Sequence, residues 1–315
     1  MTTTAHTIDP SSVVVAADGS DHADRAVQWA AGQAFRERRP LTVVTAIGIP
    51  GVPAVSWAGM GAAYAYQPDE LLQRGRAIAD EAAAVARHLH PGLDVSTVPL
   101  IGDPRQVLVE ISQRVHLLVL GSRGRGAFRS KVLGSVSAAV SRDAACPVVV
   151  CRPQAGDGHP DRGVLVGADG TAESLPVVEF AFQQASLLDL PLTVVHCLWD
   201  EVAAVHGPVM VSPRETGLDE YRMLLSENVA GMSSKFPEVT VDLRLARGLA
   251  EECLSDTSGS WNLIVVGRHP VDSLLRLITG AVATAVVERA HTTVAVVPQA
   301  EPAAEGAESP ESTES

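Results

Sequence analysis

Short, unbroken apolar runs alternate along this chain with longer amphipathic stretches, and the whole alternation occurs twice. In the first half the apolar runs fall at 13–17, 41–46, 95–100, 117–120 and 147–151, each suited to one buried strand. Between them, 23–38, 69–88, 105–114 and 135–143 place apolar residues at helical spacing. The expected order is β-α-β-α-β-α-β-α-β. The first helix opens among Asp18, Ser20, Asp21 and Asp24, and closes on Arg36, Arg38, Arg39 and Pro40. Acids and short polar residues suit a helix start, and bases suit its end. Strands apolar on both faces and alternating with helices imply a parallel sheet covered on each side. Right-handed crossovers then wind it doubly. Ligands in such sheets sit beyond the strand carboxyl ends where the winding reverses, here between strands one and four. Asp18 ends strand one and Gly121 ends strand four, so both should face one crevice.

The second half is a copy. Val13-Val-Val-Ala-Ala-Asp18-Gly-Ser20 returns as Val164-Leu-Val-Gly-Ala-Asp169-Gly-Thr171, an offset of 151 residues. Pro40 to Thr45 returns at the same offset as Pro191 to His196. Later landmarks return at an offset of 146: Gly102 with Gly248, Gly121 with Gly267, Gly134 with Gly280. The expected fold class is therefore α/β, two tandem doubly wound, Rossmann-like domains, each on a five-stranded parallel sheet. The expected division is a flexible start at 1–12, a first domain at 13–152 and a linker at 153–163. A second domain at 164–298 and a tail at 299–315 complete it.

The most informative stretch runs from Gly121 to Ser137. An apolar strand, Leu117 to Leu120, feeds a glycine-rich loop, and a helix starts with Ser135 at its N-cap. Glycines let a ligand approach the backbone, and a helix N-terminus offers N–H groups with partial positive charge. Arg123, Arg125 and Lys131 add full charges to the same loop, a combination suited to a polyphosphate. Ser137 reads as a surface serine, and Asp18 as a helix cap that can also accept from a ligand.

Composition narrows the partners. With 24 basic and 37 acidic residues the net charge is −13, which argues against nucleic-acid and anionic-membrane binding. The tail 301–315 holds acidic but no basic residues and is expected to be disordered. The uncharged stretch from Pro40 to Pro68 is broken by Pro50, Pro53 and several glycines, so it makes a poor membrane span. It reads as strand two followed by a long loop, 48–67, holding Trp57, Met60, Tyr64 and Tyr66. The matching stretch, 201–217, reads as a loop of similar length. No signal-peptide pattern opens the chain, and a cytoplasmic location is expected. Cys146, Cys151, Cys197 and Cys253 lack metal-ligand spacing and read as reduced thiols. The odd separation of the first two sends them to opposite sheet faces.

On these residues the chain resembles a tandem universal stress protein of the ATP-binding, actinobacterial type. Gly121, Gly124, Gly134 and Ser135 fit that family's signature of Gly, two residues, Gly, nine residues, Gly, then Ser or Thr. Asp18 closing strand one, Gly102-Asp-Pro104, and Cys146-Pro-Val-Val-Val150 are similar to it as well. The resemblance implies that Ala16, Asp18 and Ala46 lie beside adenosine. It implies that Gly121, Ser122, Arg123, Gly124, Arg125, Gly126 and Ala127 wrap the phosphates, with Lys131 adding charge. Gly134 would lead into Ser135 and Val136, which would present helix-start amides. Mg2+ would be held through phosphate oxygens. In the second copy Gly167, Asp169 and Asp200 would meet adenosine, and Gly267 and Gly280 would carry the loop. Pro270 and Ala281 break the signature there, though Arg268 and His269 remain in reach of a phosphate. A strong first site and a weak or absent second one are expected.

The implied function is an ATP-binding module whose nucleotide state alters partners or assembly. The alternative is a slow ATPase or phosphotransferase, but the loop supplies Arg, Lys and Ser and no acid. A dinucleotide-binding turn after strand one and a GxxxxGK[ST] loop are both absent from the sequence. In the resembled family the terminal strands pair between domains into a pseudo-dimer, and chains dimerise again. A homodimer built this way, with a regulatory protein partner, is the expectation.

Overall fold

The computed structural model describes residues 8–48, 68–124, 133–153, 162–255, 261–269 and 276–300. The first half orders β1 (Val13–Ala16), α1 (Asp21–Glu37), β2 (Leu41–Ile47), α2 (Pro68–Leu89) and β3 (Val95–Ile101). α3 (Pro104–Ser112), β4 (Leu117–Gly121), α4 (Ser135–Asp143) and β5 (Val148–Cys151) complete it. Each first-half strand agrees with its sequence-based bounds to within one residue at either end.

The second half begins with β6 (Val164–Gly167), α5 (Leu175–Leu188) and β7 (Leu192–Leu198). Then come α6 (Glu201–His206), β8 (Val209–Met210), α7 (Asp219–Lys235) and β9 (Val241–Arg247). α8 (Ala250–Leu254), β10 (Leu263–Arg268), α9 (Arg276–Arg289) and β11 (Val294–Pro298) close the fold.

The described strands form one 11-stranded sheet in the order β3-β2-β1-β4-β5-β11-β10-β6-β7-β9-β8. Within each half the five principal strands are parallel, as the alternation required. The halves join where β5 and β11 pair antiparallel, Val149 opposite Ala295. Each apolar terminal strand thereby covers the other's exposed edge. The expectation of a loop at 201–217 is corrected: this stretch holds α6 and β8, and β8 pairs antiparallel with β9. Asp200 nucleates α6 by accepting hydrogen bonds from the Val202 and Ala203 amides. The matching 49–67 of the first half, with its Trp57, Met60, Tyr64 and Tyr66, lies outside the described residues. So does the tail from 301 onward.

Side chains alternate across the sheet, Val13 and Val15 facing one apolar layer and Val14 the other. α1, α2, α5 and α7 supply the first layer through residues such as Val27, Ala83, Phe182 and Val229. α3, α4, α8 and α9 supply the second through Leu108, Val140, Leu254 and Val286. Cys151 and Cys146 fall on opposite faces, as their odd spacing implies. The internal symmetry reaches the backbone. Arg38 and Asp189, equivalent across the repeat, are the non-glycine residues with positive φ among those described, 55° and 53°. Both end the first helix of their half, where a left-handed residue lets its N–H close the last turn.

Candidate functional site

β1 and α1 meet in a tight turn. Asp18 accepts a hydrogen bond from the Ser20 amide through Oδ1 (3.1 Å), and Ser20 Oγ accepts from the Ala23 amide (3.3 Å). Ser20 is thus the N-cap of α1, and Asp18 stands one step outside the helix. Beside it, β4 ends at Gly121. A β-carbon on Gly121 would come within 2.5 Å of the His22 carbonyl oxygen, so the strand end packs directly on the α1 backbone. Ser122 is buried: its amide donates to the Cys151 carbonyl (3.0 Å) and its hydroxyl pairs with His22 Nδ1 (3.3 Å).

The glycine loop returns to its own start. The Gly134 amide donates to the Ser122 carbonyl (2.8 Å), and Gly134 packs against the Arg123 backbone. Gly124 sits with its α-carbon against Asp18, whose Oδ2 lies 2.6 Å from where a β-carbon would stand. The β1 end and the loop after β4 therefore share one crevice at the reversal of strand order. Ala16 and Ala46 lie half-buried near the ends of the neighbouring strands β1 and β2, on the β1 side of it.

Two details differ from the sequence-based reading. Gly134, not Ser135, is the N-cap of α4, and it has no side chain to cap the first amides of Ser135 and Val136 with. Ser137 is buried and donates through Oγ to the Gly121 carbonyl (2.7 Å), fastening α4 to the strand end instead of facing solvent. Arg125, Gly126, Ala127 and Lys131 lie outside the described residues. His22, which sequence reasoning passed over, stands at the junction. Burial, with Arg123 and Arg25 nearby, lowers it below its ordinary value despite Asp21 and Asp18.

The equivalent space in the second half is a small pocket of about 150 Å³, bordered by Gly167, Asp169, His196, Cys197, Gly267 and His269. Its own side chains fill much of it. Gln299 donates through Nε2 to Asp169 Oδ2 (3.1 Å) and lies against Gly267. Leu254 reaches 2.6 Å from where a β-carbon on Gly167 would be. His196 turns Nδ1 onto the Ala168 carbonyl (2.9 Å) and stacks on Tyr221. Burial alone would raise the Asp169 carboxyl, but hydrogen bonds from Thr171, Ser174 and Gln299 outweigh it and hold the group below its ordinary value.

Asp200 is not among the residues bordering this pocket. It caps α6 and pairs with Arg247 at 3.6 Å. Arg268 is buried and donates to the Ala144 carbonyl of the first half. Gly280 falls within α9.

A larger groove of about 950 Å³ runs beside the first crevice and across to the second half. Arg123, Arg152, Arg162, Arg244 and Arg289 border it, with Glu252 and Glu288 opposing. Among the described residues no group of three His, Cys, Asp or Glu side chains is placed to hold a metal ion. None of the described helices is long and apolar enough to cross a membrane.

The profile of the universal stress protein family matches residues 11–152 and 162–298. The chain is 33% identical over 303 residues to a universal stress protein of Mycobacterium tuberculosis, covering 91% of this chain and 97% of that one. It is 33% identical over 291 residues to one of Mycolicibacterium smegmatis, covering 90% and 96%. Among solved structures, a universal stress protein from Archaeoglobus fulgidus superposes with a TM-score of 0.65 at 19% identity, covering 92% of this chain and 97% of that one. At that identity the likeness speaks for the fold.

Proposed function

The chain belongs to the universal stress protein family in its tandem-domain form, and from that premise we propose that its first domain is an ATP-binding module with little or no hydrolytic activity. The observation that carries this reading is the seating of the Asp18 carboxylate against Gly124, beside an α4 N-terminus whose cap residue, Gly134, has no side chain. A carboxylate accepts hydrogen bonds from a ribose, while uncapped helix amides donate to phosphate. The two acceptor and donor sets lie on either side of one crevice, the order a nucleotide needs. Arg123 adds charge to the phosphate end. Three or four charge-assisted hydrogen bonds at ~1.5–3 kcal/mol each suffice for micromolar affinity after ordering costs. Mg2+ would enter with the phosphates.

Hydrolysis would need a group to orient water at the γ-phosphate. Asp18 stands at the opposite, ribose end, which favours binding over turnover. Gln299 on Asp169 and Leu254 beside Gly167 favour a weak or absent second site. A homodimer, a regulatory protein partner and a cytoplasmic setting complete the proposal.

Titration calorimetry with ATP and magnesium, together with mass analysis of small molecules released from gently purified protein, tests it. About one nucleotide per chain at micromolar affinity is expected. No heat and no released nucleotide would refute the reading.

A further inference from the structure

Two of the four cysteines meet, although 56 positions separate them in the chain. Cys197 lies near the carboxyl end of β7, and Cys253 lies on α8, which packs on that strand. The Cys253 thiol approaches the Arg247 carbonyl, at 3.9 Å. Arg247 is the neighbour of Ala246, the register partner of Cys197, so the two side chains lie close together, both half-buried against the same apolar layer.

This pair is peculiar to the second half. Cys197 is in register with Ala246, as Ala46 is with Leu100 in the first half, so Cys197 replaces Ala46. Counting from the equivalent Gly102 and Gly248, Cys253 replaces Val107. The other two cysteines, Cys146 and Cys151, are buried on opposite faces of the sheet and have no such arrangement.

We propose that Cys197 and Cys253 are a redox-active dithiol, converted by a hydroperoxide into an intramolecular disulfide. Access favours Cys253 as the first to react, because it borders the open groove of about 950 Å³ while Cys197 borders the smaller pocket. The chemistry divides the same way. The neighbouring Cys197 side chain lowers Cys253 against the opposing effects of burial, Glu252 and Glu251. That same contact, followed by burial, pushes Cys197 up. One thiol is thus prepared to attack and the other to hold its proton until needed.

In the first step the Cys253 thiolate attacks the peroxide. An S–O bond forms, the O–O bond breaks, and the departing oxygen leaves as an alcohol, or as water from hydrogen peroxide. In the second, Cys197 gives up its proton and its sulfur attacks the Cys253 sulfenic acid. An S–S bond forms, the S–O bond breaks, and water leaves. The thiols together lose two electrons and the peroxide gains them. The new bond would tie α8 to β7 and hold Leu254, the next residue, in the space beside Gly167.

The full-length wild-type chain is reduced, desalted, exposed to an equimolar amount of hydrogen peroxide, then alkylated in denaturant and digested. The expected result is loss of two of its four titratable thiols and a Cys197–Cys253 linked peptide lighter by two hydrogens, reversed by dithiothreitol. In Cys197→Ser the sulfenic acid should accumulate at Cys253 and be captured by dimedone. Four surviving thiols would overturn the proposal. So would a link between chains, a link through Cys146 or Cys151, or Cys253 passing to sulfinic acid with no linked peptide.

Discussion

Asp18 Oδ2 occupies the approach to Gly124 so closely that a β-carbon there would stand 2.6 Å away. The contact explains why the second glycine of the signature has to be a glycine: the loop must pass the carboxylate. Gly124→Ala should displace Asp18, costing ATP affinity more than stability, since the displaced group is a side chain and not backbone. A loss of at least tenfold in affinity by calorimetry is expected, equivalent to about 1.4 kcal/mol. The thermal midpoint without nucleotide should move little. The double variant with Asp18→Ala supplies the control. If the glycine matters only through Asp18, adding Gly124→Ala to Asp18→Ala should cost almost nothing more. Additive losses would separate the two residues and remove the shared crevice.

His22 reports on the same place through pH. Its folded value lies below its ordinary one because burial, Arg123 and Arg25 all disfavour the imidazolium. Protonation therefore favours the unfolded chain, in which histidine titrates near about 6.5. The stabilising contribution is complete above that pH and shrinks as pH falls through it. Ring-proton NMR should show His22 titrating below about 6.5 in the nucleotide-free protein. ATP should then raise it, since phosphate beside Arg123 offsets the positive field. A His22 resonance that ATP leaves unmoved or moves downward would put the phosphates elsewhere.

How much of this could be read from the chain divides along physical lines. Strand ends and winding are local and periodic properties, so the parallel sheets and the meeting of Asp18 with the loop after β4 were legible from apolar runs alone. The apolar terminal strands likewise announced edges needing cover, and β5 found β11. What was not legible depends on side chains arriving from distant segments. Gln299 reaches Asp169 across 130 positions, and nothing near either residue signals it. Asp200 entered the reading through the resemblance alone, and the helix that begins one residue later and takes its oxygen was not legible around it. Ser137 read as a surface serine, yet its hydroxyl reaches the Gly121 carbonyl 16 positions earlier in the chain.

Arg268 ties the second half to the helix that borders the first half's crevice. Its guanidinium, buried at 5% exposure, donates to the Ala144 carbonyl. Ala144 is the C-cap of α4, the helix whose other end borders the first crevice. A cation at a helix C-terminus satisfies a free carbonyl and complements the helix dipole, worth about 0.3–1 kcal/mol where exposed and up to ~2 kcal/mol when partly buried. Arg268→Met keeps most of the stem packing and removes the charge and the donor. Stability should fall by about 1–3 kcal/mol, read from the urea midpoint at unchanged slope, because a buried carbonyl loses its partner. ATP affinity should fall a few-fold, because α4 is held less firmly at the end opposite its amides. A variant with the wild-type midpoint and wild-type affinity would show that the contact bears on neither. A variant that loses stability alone would leave Arg268 as a clamp between halves, with no influence on the crevice.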